Sequence, residues 1–255
     1  MSKKINRHRP AKNATTLLLL ALLTSCAAKN GTGQEDVSDP FEPVNRGIYS
    51  FNDVADTWIL RPLAKGYVWI APPVVRTGIN NFLDNLFYPV DILNALLQGK
   101  FAATVEGLGR FGMNTTLGFA GILDPATDAG LEKLNEDFGQ TLGVWGVPEG
   151  PYIMVPFFGP RTVRSGVGSL VDFFVSPLFA ISDSKVRWGL FIAVTIQTRS
   201  TLLKIDEDVR RAFDPYAFVR DSYMQHREYL RYDGNPPEDD LFFDDEEFEE
   251  EGSEE

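Results

Sequence analysis

The sequence predicts a mainly α-helical domain whose helices are joined by irregular segments rich in glycine and proline. Apolar residues recur at steps of three and four from Ile79 to Leu97, which is the spacing of one face of a helix. Strict alternation of apolar and polar residues, which would indicate half-buried strands, is scarce. The stretches 112–130 and 145–160 are dense in glycine and proline, so they are expected to be irregular.

Five segments in the body of the chain are predicted to be helical, and two of them contain a proline that should disturb the helix. They are about 79–97, 100–112, 162–175, 185–204 and 206–231. Pro89 is expected to kink or divide the first segment, and Pro215 to break the last. The run 190–196 is apolar on every side, so it lies either at the centre of a core or against lipid. It is too short to cross a bilayer, which takes roughly 20 residues.

Residues 1–25 have the organisation of a secretory signal peptide. Five basic residues between Lys3 and Lys12 precede an apolar run at 17–23, and two small residues then lead to Cys26. This order matches a lipobox, in which the cysteine thiol is acylated and becomes the mature N-terminus. Cys26 is the only cysteine of the chain, so it is predicted to anchor a lipid and a disulfide framework is excluded. The alternative is an ordinary signal peptide followed by a stray cysteine.

The residues after Cys26 predict the location and the domain organisation. Ala27 follows the cysteine, where an aspartate would favour inner-membrane retention, so sorting to the periplasmic side of the outer membrane is expected. Residues 26–38 are small and polar and are predicted to tether the lipid to one domain at 39–232. Residues 233–255 contain thirteen acids and no lysine or arginine, which predicts a disordered acidic tail.

Charge and motif content exclude several classes of function. The acidic tail at 233–255 argues against nucleic acid as a partner. After removal of the signal peptide only one histidine remains, His226, and its neighbours are polar or charged. The chain has no G-x-S-x-G elbow, no histidine and cysteine spacing for a metal, and no phosphate-binding glycine loop. No catalytic residue, no metal ligand and no cofactor is therefore predicted.

Three sequence blocks behind the lipobox resemble the VacJ/MlaA family of outer-membrane lipoproteins. They read DPFEPVNRGIYSFN at 39–52, GRFGMNTTLGFAGILDPA at 109–126 and EDFGQTLGVWGVPEGPYIMVPFFGP at 136–160. The resemblance extends from about residue 39 to residue 232 and leaves the acidic tail outside. The third block is long and specific, and the three blocks occur in the family order.

The resemblance implies a ring of amphipathic helices that is monotopic in one leaflet, with a central amphipathic channel. Phospholipid that has strayed into the outer leaflet would enter the channel, and its headgroup would move to the periplasmic side. The periplasmic lipid carrier MlaC would receive the lipid, and the protein would associate with a trimeric porin in the surrounding outer-membrane lipid. The alternative is a porin-associated scaffold or an envelope assembly factor without a lipid path.

Three groups of site residues follow from the resemblance and from the residue types. The family signature comprises Asp39, Pro40, Phe41, Glu42, Asn45, Arg46, Phe51 and Asn52. The channel and gate candidates are Asn80, Asn81, Asp84, Asn85, Asn114, Gly118, Phe119, Gly121, Ile122, Leu123 and Asp124. A structural strap is expected at Gly139, Gln140, Gly146, Gly150, Pro151, Tyr152, Pro156, Gly159, Pro160 and Arg164.

The signature and the strap have separate physical rationales. Asp39 is expected to cap a helix N-terminus, and Glu42 with Arg46 to form an i,i+4 ion pair. By family analogy the region around residues 51–52 helps to control the channel. Arg164 is followed by serine where the family often has aspartate, and Asp172 is the acid that would replace it.

The channel and gate candidates fall into two stretches. The asparagines and the aspartate of 80–85 lie opposite an apolar helical face, where they line a channel or face solvent. The glycines of 112–130 are expected to give backbone freedom, so that Phe119, Ile122 and Leu123 could plug a pore. The alternative for 112–130 is a surface loop packed on the core.

Overall fold

Residues 39–235 are described in the computed structural model, and helices form most of this range. The predicted mainly α-helical fold is confirmed. The predicted signal peptide, Cys26, the tether and residues 236–255 of the acidic tail lie outside the described residues. Residues 233–235, expected to be disordered, instead form a turn. In this turn Gly234 N donates to the Tyr229 carbonyl at 2.9 Å, and Asp233 pairs with Lys100.

The first part of the described chain consists of five helices and one π-helical turn. They are α1 (Glu42–Ala55), the π-helical turn Asp56–Leu60, α2 (Arg61–Ile70), α3 (Pro73–Leu97), α4 (Phe101–Thr116) and the single-turn α5 (Pro125–Asp128). The backbone stays helical from α1 through the π-helical turn into α2. Helix α3 is not divided at Pro89, which lies inside it.

The second part adds a hairpin and the remaining helices. The elements are α6 (Phe138–Val144), β1 (Tyr152–Val155), β2 (Gly159–Thr162), α7 (Val163–Val175), α8 (Pro177–Ala180), α9 (Ser184–Leu202), a 3₁₀ turn (Leu203–Ile205), α10 (Asp206–Arg211) and α11 (Pro215–Arg231). The predicted break at Pro215 is confirmed, since it separates α10 from α11. The irregular strap expected here is instead an antiparallel hairpin, paired from Tyr152↔Thr162 to Val155↔Gly159.

Capping side chains fix where several helices begin. Asp137 accepts a hydrogen bond from Gln140 N at 2.8 Å at the start of α6, and Asp183 accepts one from Lys185 N at 2.7 Å at the start of α9. Thr162 and Ser165 form a capping box for α7. The predicted cap at Asp39 is wrong: α1 starts after Phe41 without a side-chain cap.

In the described residues many polar and charged side chains are buried and many large apolar side chains are exposed, which is the reverse of the usual distribution. Its buried polar and charged side chains are Asn45, Asn85, Asn94, Thr104, Arg110, Asn114, Glu136, Gln140, Thr141, Thr162, Arg164, Ser165, Ser176, Gln197 and Arg227. Large apolar side chains are instead widely exposed, and all four tryptophans of the chain are between 54% and 86% exposed. Such a surface is unusual for a protein that meets only water.

The apolar run in α9 shows the same inversion. Residues 190–196 are half-buried or exposed along their whole length, so the alternative that places this run at the centre of a core is wrong. Within residues 39–235 no helix combines the length and the apolar character needed to cross a membrane.

Helix packing places α9 against both α2 and α3, while α3 also packs against α4. Helices α6 and α7 approach most closely at Gly139 and Gly168. A Cβ atom at position 168 would lie 2.3 Å from Gly139 N, so only glycine permits this contact. The arrangement leaves a gap beside α3 and α9, where the candidate site lies.

Candidate functional site: an amphipathic cavity

A cavity of about 190 Å³ lies between α3, α9 and residues 133–135. Four apolar residues contribute to its wall: Leu83, Phe87, Leu134 and Val194. The other lining residues are Asn80, Asp84, Asp91, Lys133, Asn135, Gln197 and Thr198. The wall can therefore contact hydrocarbon on some sides and a charged or hydrogen-bonding group on others.

A row of hydrogen bonds follows one wall of the cavity. The Tyr67 hydroxyl donates to Gln197 Oε1 at 2.7 Å, and Gln197 Nε2 donates to Asn80 Oδ1 at 3.3 Å. Asn80 Nδ2 and Lys133 Nζ both donate to Asp84 Oδ2, at 2.8 and 2.7 Å. The row joins side chains from α2, α9, α3 and the segment before α6, so it fixes the polar wall in place.

Asp91 is a cavity-lining carboxyl whose protonation is strongly perturbed. Burial raises its pKa to about 7, and the nearby Asp172 and Glu136 carboxylates act in the same direction. The Glu136 N–H donates to Asp91 Oδ1 at 3.2 Å, and this bond and the Lys133 charge oppose the rise without cancelling it. At neutral pH the cavity therefore contains a carboxyl that exchanges between its charged and neutral forms.

Only part of the predicted channel set lies at the cavity. Asn80 and Asp84 line it, whereas Asn81 donates to the Ile122 carbonyl at 3.3 Å. Asn85 is buried and donates to Thr115 Oγ1 at 3.0 Å, so it neither faces solvent nor lines the cavity. Asn81 instead attaches the turn after α4 to α3, and Asn85 attaches the last turn of α4 to α3.

The turn at 117–124 is tightly held, which differs from the backbone freedom expected of its glycines. A Cβ atom at Gly118 would lie 2.4 Å from the Asn114 carbonyl oxygen, and one at Gly121 would lie 2.3 Å from Asn85 Cβ. Gly121 has a φ of +89°, and Phe119 also adopts a left-handed backbone with a φ of 53°. These glycines are required by close packing and by backbone conformation, not by mobility.

The buried Arg110 side chain holds the same turn in place through hydrogen bonds. Arg110 donates to Asp124 Oδ2 at 2.6 Å and to the Leu131 carbonyl at 2.6 Å. Asn114 Nδ2 donates to Asp124 Oδ1 at 2.8 Å. The large apolar side chains of this turn are exposed and do not line the cavity: Leu117, Phe119, Ile122 and Leu123.

The signature asparagines bind the hairpin, Asn45 at the open edge of β1 and Asn52 at the turn. Asn45 is buried; its Nδ2 donates to the Tyr152 carbonyl at 3.2 Å, and its Oδ1 accepts from Met154 N at 2.9 Å. Towards the turn of the hairpin, Asn52 Nδ2 donates to the Val155 carbonyl at 3.0 Å, and Asn52 Oδ1 accepts from Phe157 N at 2.8 Å. The two residues are seven apart and lie on one face of α1; the Asn45 amide takes the place of a missing strand partner of β1, and the Asn52 amide holds the turn of the hairpin.

Replacing Asn45 by leucine should lower the free energy of unfolding by about 2–4 kcal/mol, because two buried backbone groups would lose their partners. The matched change Asn52→Leu, which affects the more exposed turn of the same hairpin, should cost less than half as much. Thermal unfolding of the purified protein in detergent measures both. Equal stability of Asn45→Leu and the unmodified chain would contradict the role assigned to this amide.

The remaining signature residues join α1 to α11. Glu42 and Arg46 form the predicted ion pair at 2.7 Å, and Arg46 also bonds Asp214 with both Nη atoms, at 3.1 and 2.6 Å. This bond holds the pKa of Asp214 down at about 2. Asp39 accepts from Asn45 Nδ2 at 2.8 Å and from the Tyr216 hydroxyl. Control of the channel by the region around residues 51–52 remains a prediction, and the geometry found there is a joint between elements.

The acidic partner of Arg164 lies within the strap and was not identified from the family resemblance. Arg164 is buried and donates to the Val147 carbonyl at 2.9 Å and to Glu149, so Glu149 is its acidic partner. Asp172 does not replace that acid, because it accepts from Asn94 Nδ2 at 2.9 Å and from Phe138 N at 3.0 Å. Ser165, in the position of the family aspartate, bonds the Tyr223 hydroxyl at 2.7 Å.

Five polar residues that line the cavity were missed by reasoning from sequence: Asp91, Lys133, Asn135, Gln197 and Thr198. Asp91 had a visible signal, since Asn80, Asp84, Phe87 and Asp91 follow steps of four, three and four along one stripe of α3. Lys133 and Gln197 had none, because they reach the cavity from distant parts of the chain.

Exposed aromatic side chains, a polar interior and an amphipathic cavity are together typical of helical proteins that lie against lipid. Residues 37–230 match the family model described as MlaA lipoprotein. The chain belongs to this family.

Named relatives and a solved structure agree with this assignment. The intermembrane phospholipid transport system lipoprotein MlaA of Escherichia coli (strain K12) is 36% identical over 217 residues, covering 84% of this chain and 86% of that protein. Its namesake from Haemophilus influenzae is 31% identical over 225 residues, covering 86% and 90%. A solved structure concerned with the structural basis for maintenance of bacterial outer membrane lipid asymmetry has a TM-score of 0.67 and 36% identity, covering 76% of this chain and 99% of that one.

Proposed function

We propose that this chain is an outer-membrane lipoprotein that removes mislocalised phospholipid from the outer leaflet and passes it towards a periplasmic carrier. The observation that carries the proposal is the amphipathic cavity, set in a helical body whose outer surface is rich in exposed apolar side chains. Both named relatives are lipoproteins of an intermembrane phospholipid transport system, which supports a lipid as the substrate.

The cavity addresses the main energetic obstacle to moving a phospholipid between leaflets. A charged headgroup cannot cross hydrocarbon cheaply, because burying an unpaired polar or charged group costs several kcal/mol. The row of hydrogen bonds from Tyr67 to Lys133 offers such a group partners on one wall. At about 190 Å³ the cavity is smaller than sites that enclose a whole drug-sized ligand, so the acyl chains would stay in the surrounding lipid.

The exposed apolar surface supports a monotopic position in the inner leaflet of the outer membrane. In this arrangement the helices form a ring around an amphipathic channel, and the acylated Cys26 holds the ring at the membrane. Tryptophan is favoured where hydrocarbon meets headgroups, and all four tryptophans of the chain are exposed. A trimeric porin and the carrier MlaC complete the proposed path, on the family resemblance.

A passive channel lets lipid move only down its own free-energy gradient, so the carrier must supply the direction. This requirement separates the proposal from a porin-associated scaffold without a lipid path. A scaffold would tolerate bulky substitutions at cavity residues such as Val194, whereas a lipid path would not.

Lipid labelling on intact cells tests the proposal. Cells that lack this protein should expose more phospholipid in the outer leaflet, and the unmodified chain should restore the normal level. An unchanged outer leaflet in the deletion strain, with no redundant pathway present, would contradict the proposal.

Replacing Cys26 by alanine should abolish outer-membrane placement, because the acyl anchor would be lost. Membrane fractionation measures this directly, and Ser25→Ala, which keeps a small residue before the cysteine, is the control. Normal outer-membrane fractionation of Cys26→Ala would refute the lipid anchor.

A further inference from the structure

The charges that line the cavity do not balance. Among its lining residues the ionisable side chains are Asp84, Asp91 and Lys133. Lys133 Nζ bonds Asp84 Oδ2 at 2.7 Å, so these two charges compensate each other. Within residues 39–235 Asp91 has no ion pair, and its described hydrogen bond is the one from Glu136 N to Oδ1 at 3.2 Å. The cavity therefore offers one uncompensated carboxylate, with Oδ2 available to a ligand.

The Asp91 carboxylate lies beside the apolar wall of the cavity and away from the ion pair between Lys133 and Asp84. Asp91 lies two helical turns beyond Asp84 on the same stripe of α3, which is about 10 Å along the helix axis. Phe87 lies between them on the same stripe, and both aspartates line the one cavity. The Lys133 ammonium has three N–H donors and uses one on Asp84, so a ligand that spans the cavity can place a cation against Asp91 and a hydrogen-bonded phosphate against Lys133.

We propose that the cavity accepts a phospholipid headgroup that carries a primary ammonium, with Asp91 binding the ammonium and Lys133 binding the phosphate. Ethanolamine phospholipids have this chemistry. This inference rests on the proposed lipid-transport function and adds to it a preference among substrates. A headgroup with a phosphate and no cation, such as phosphoglycerol, would leave Asp91 unpaired and would meet its negative charge.

The protonation of Asp91 supports this assignment. A buried carboxylate without a cationic partner is costly, and the raised pKa of Asp91, about 7, reflects that cost. Other charged groups that act on it are Lys133 and Glu136, from the segment before α6, and Asp172, from α7; Glu136 is itself paired with Lys100 at 2.8 Å. An ammonium ligand would favour the charged form, so preference for it should weaken as pH falls from 8 to 6.

The test uses the full-length lipoprotein in nanodiscs of equal phosphatidylethanolamine and phosphatidylglycerol. A small aliphatic diazirine amino acid, close to valine in size so that the cavity stays open, replaces Val194 in the cavity wall; it is photolysed, and mass spectrometry quantifies the crosslinked lipids. At pH 8 we expect the ethanolamine lipid to exceed the glycerol lipid by about tenfold, which is the ratio that one modest charge interaction produces. Asp91→Asn should bring the ratio close to that of the bilayer, while the exposed Asp53→Asn should keep the enrichment.

Stability gives a second readout that checks the folding of the variant. Because the folded pKa of Asp91 is about 7 and the unfolded value is near 3.9, the folded state binds more protons between these limits, and stability falls as pH rises through them. Asp91→Asn should therefore melt at a higher temperature than the unmodified chain at pH 8, and the difference should vanish near pH 4.

The outcomes separate this inference from the function on which it rests. Crosslinking of both lipids in the bilayer ratio by the unmodified chain would overturn the headgroup preference and leave lipid transport intact. Retained enrichment in a folded Asp91→Asn would overturn the role of Asp91. Absence of any phospholipid crosslink at Val194 would overturn the lipid-filled cavity and with it the proposed function.

Discussion

Replacing Arg227 by methionine should lower the free energy of unfolding by about 2–3 kcal/mol, less than for a fully buried ion pair, because the Asp137 side chain is 35% exposed and solvent compensates part of its charge. Arg227 in α11 is buried and pairs with Asp137, the residue that caps α6. Burial alone would raise the pKa of Asp137, but the bond to Arg227 outweighs it and the pKa is lowered. The pair therefore stabilises the fold above about pH 4 and ceases to do so as pH falls through the folded pKa.

Arg231→Met is the matched control for this experiment, since Arg231 is exposed four residues further along α11. Its stability should change by less than about 0.5 kcal/mol. Chemical unfolding of both variants in detergent at pH 7 and pH 2 measures the contrast, because the lowered pKa of Asp137 keeps the pair ionised at pH 4. A difference between the two variants that is the same at both pH values would contradict an ionic contribution at Arg227.

Introducing a single methyl group at Gly168 should destabilise the protein by about 3 kcal/mol or more. The new Cβ atom would lie 2.3 Å from Gly139 N and 2.6 Å from Gly139 Cα, and backbone atoms cannot move aside as a flexible side chain can. Helices α6 and α7 would have to separate, and this would disturb the neighbouring contact between Arg227 and Asp137. The measurement is the change in unfolding free energy of Gly168→Ala.

The substitution Gly109→Ala should change the free energy of unfolding in the opposite direction and stabilise the protein. Gly109 lies exposed within α4, and nothing is within 4 Å of an added Cβ atom. Alanine is favoured over glycine inside a helix by about 0.5–1 kcal/mol, so this variant should be more stable than the unmodified chain. Similar losses in both variants would mean that the separation of α6 and α7 is not what matters at Gly168.

Most of the long helices were predictable from sequence because their periodicity is local, whereas α2 (Arg61–Ile70) was not among the predicted segments. The segments 100–112, 162–175 and 185–204 correspond to α4, α7 and α9 within a few residues. The hairpin was not predictable, since its strands have four residues each and contain glycine and proline. Its open edge is paired by the Asn45 side chain instead of by a third strand, and Asn52 binds its turn; no strand pattern reports such partners.

The face of α3 that is buried was predicted less well, for a physical reason. Periodicity locates the most apolar face, and in a protein that contacts water that face is buried. Here Leu93 and Leu97 are exposed, whereas Asn85 and Asn94 are buried. Asn94 is satisfied inside by Thr141, which donates to its Oδ1 at 2.9 Å. A chain whose exterior meets lipid can reverse the usual assignment, and the sequence pattern alone does not say which solvent applies.

Only part of the candidate site was predictable from sequence. Asn80 and Asp84 were selected because they form a polar patch on an otherwise apolar helix, and both line the cavity. The turn at 117–124 was selected for its glycines, which in the structure serve tight packing. Lys133 and Gln197 come together with Asn80 only through the packing of α3 and α9, so no local signal could have identified them.

The most direct test of the central claim, that phospholipid passes along the cavity between α3 and α9, is the effect of filling that cavity. Val194→Trp adds an indole at a lining position, and Val186→Trp adds the same group at an exposed position on the same helix. Outer-leaflet phospholipid is measured in cells that contain either variant as the sole copy, after equal outer-membrane abundance is confirmed. We expect Val194→Trp to expose as much phospholipid as the deletion strain, and Val186→Trp to restore the normal level. Full restoration by a correctly placed Val194→Trp would contradict the claim and would favour a scaffold without a lipid path.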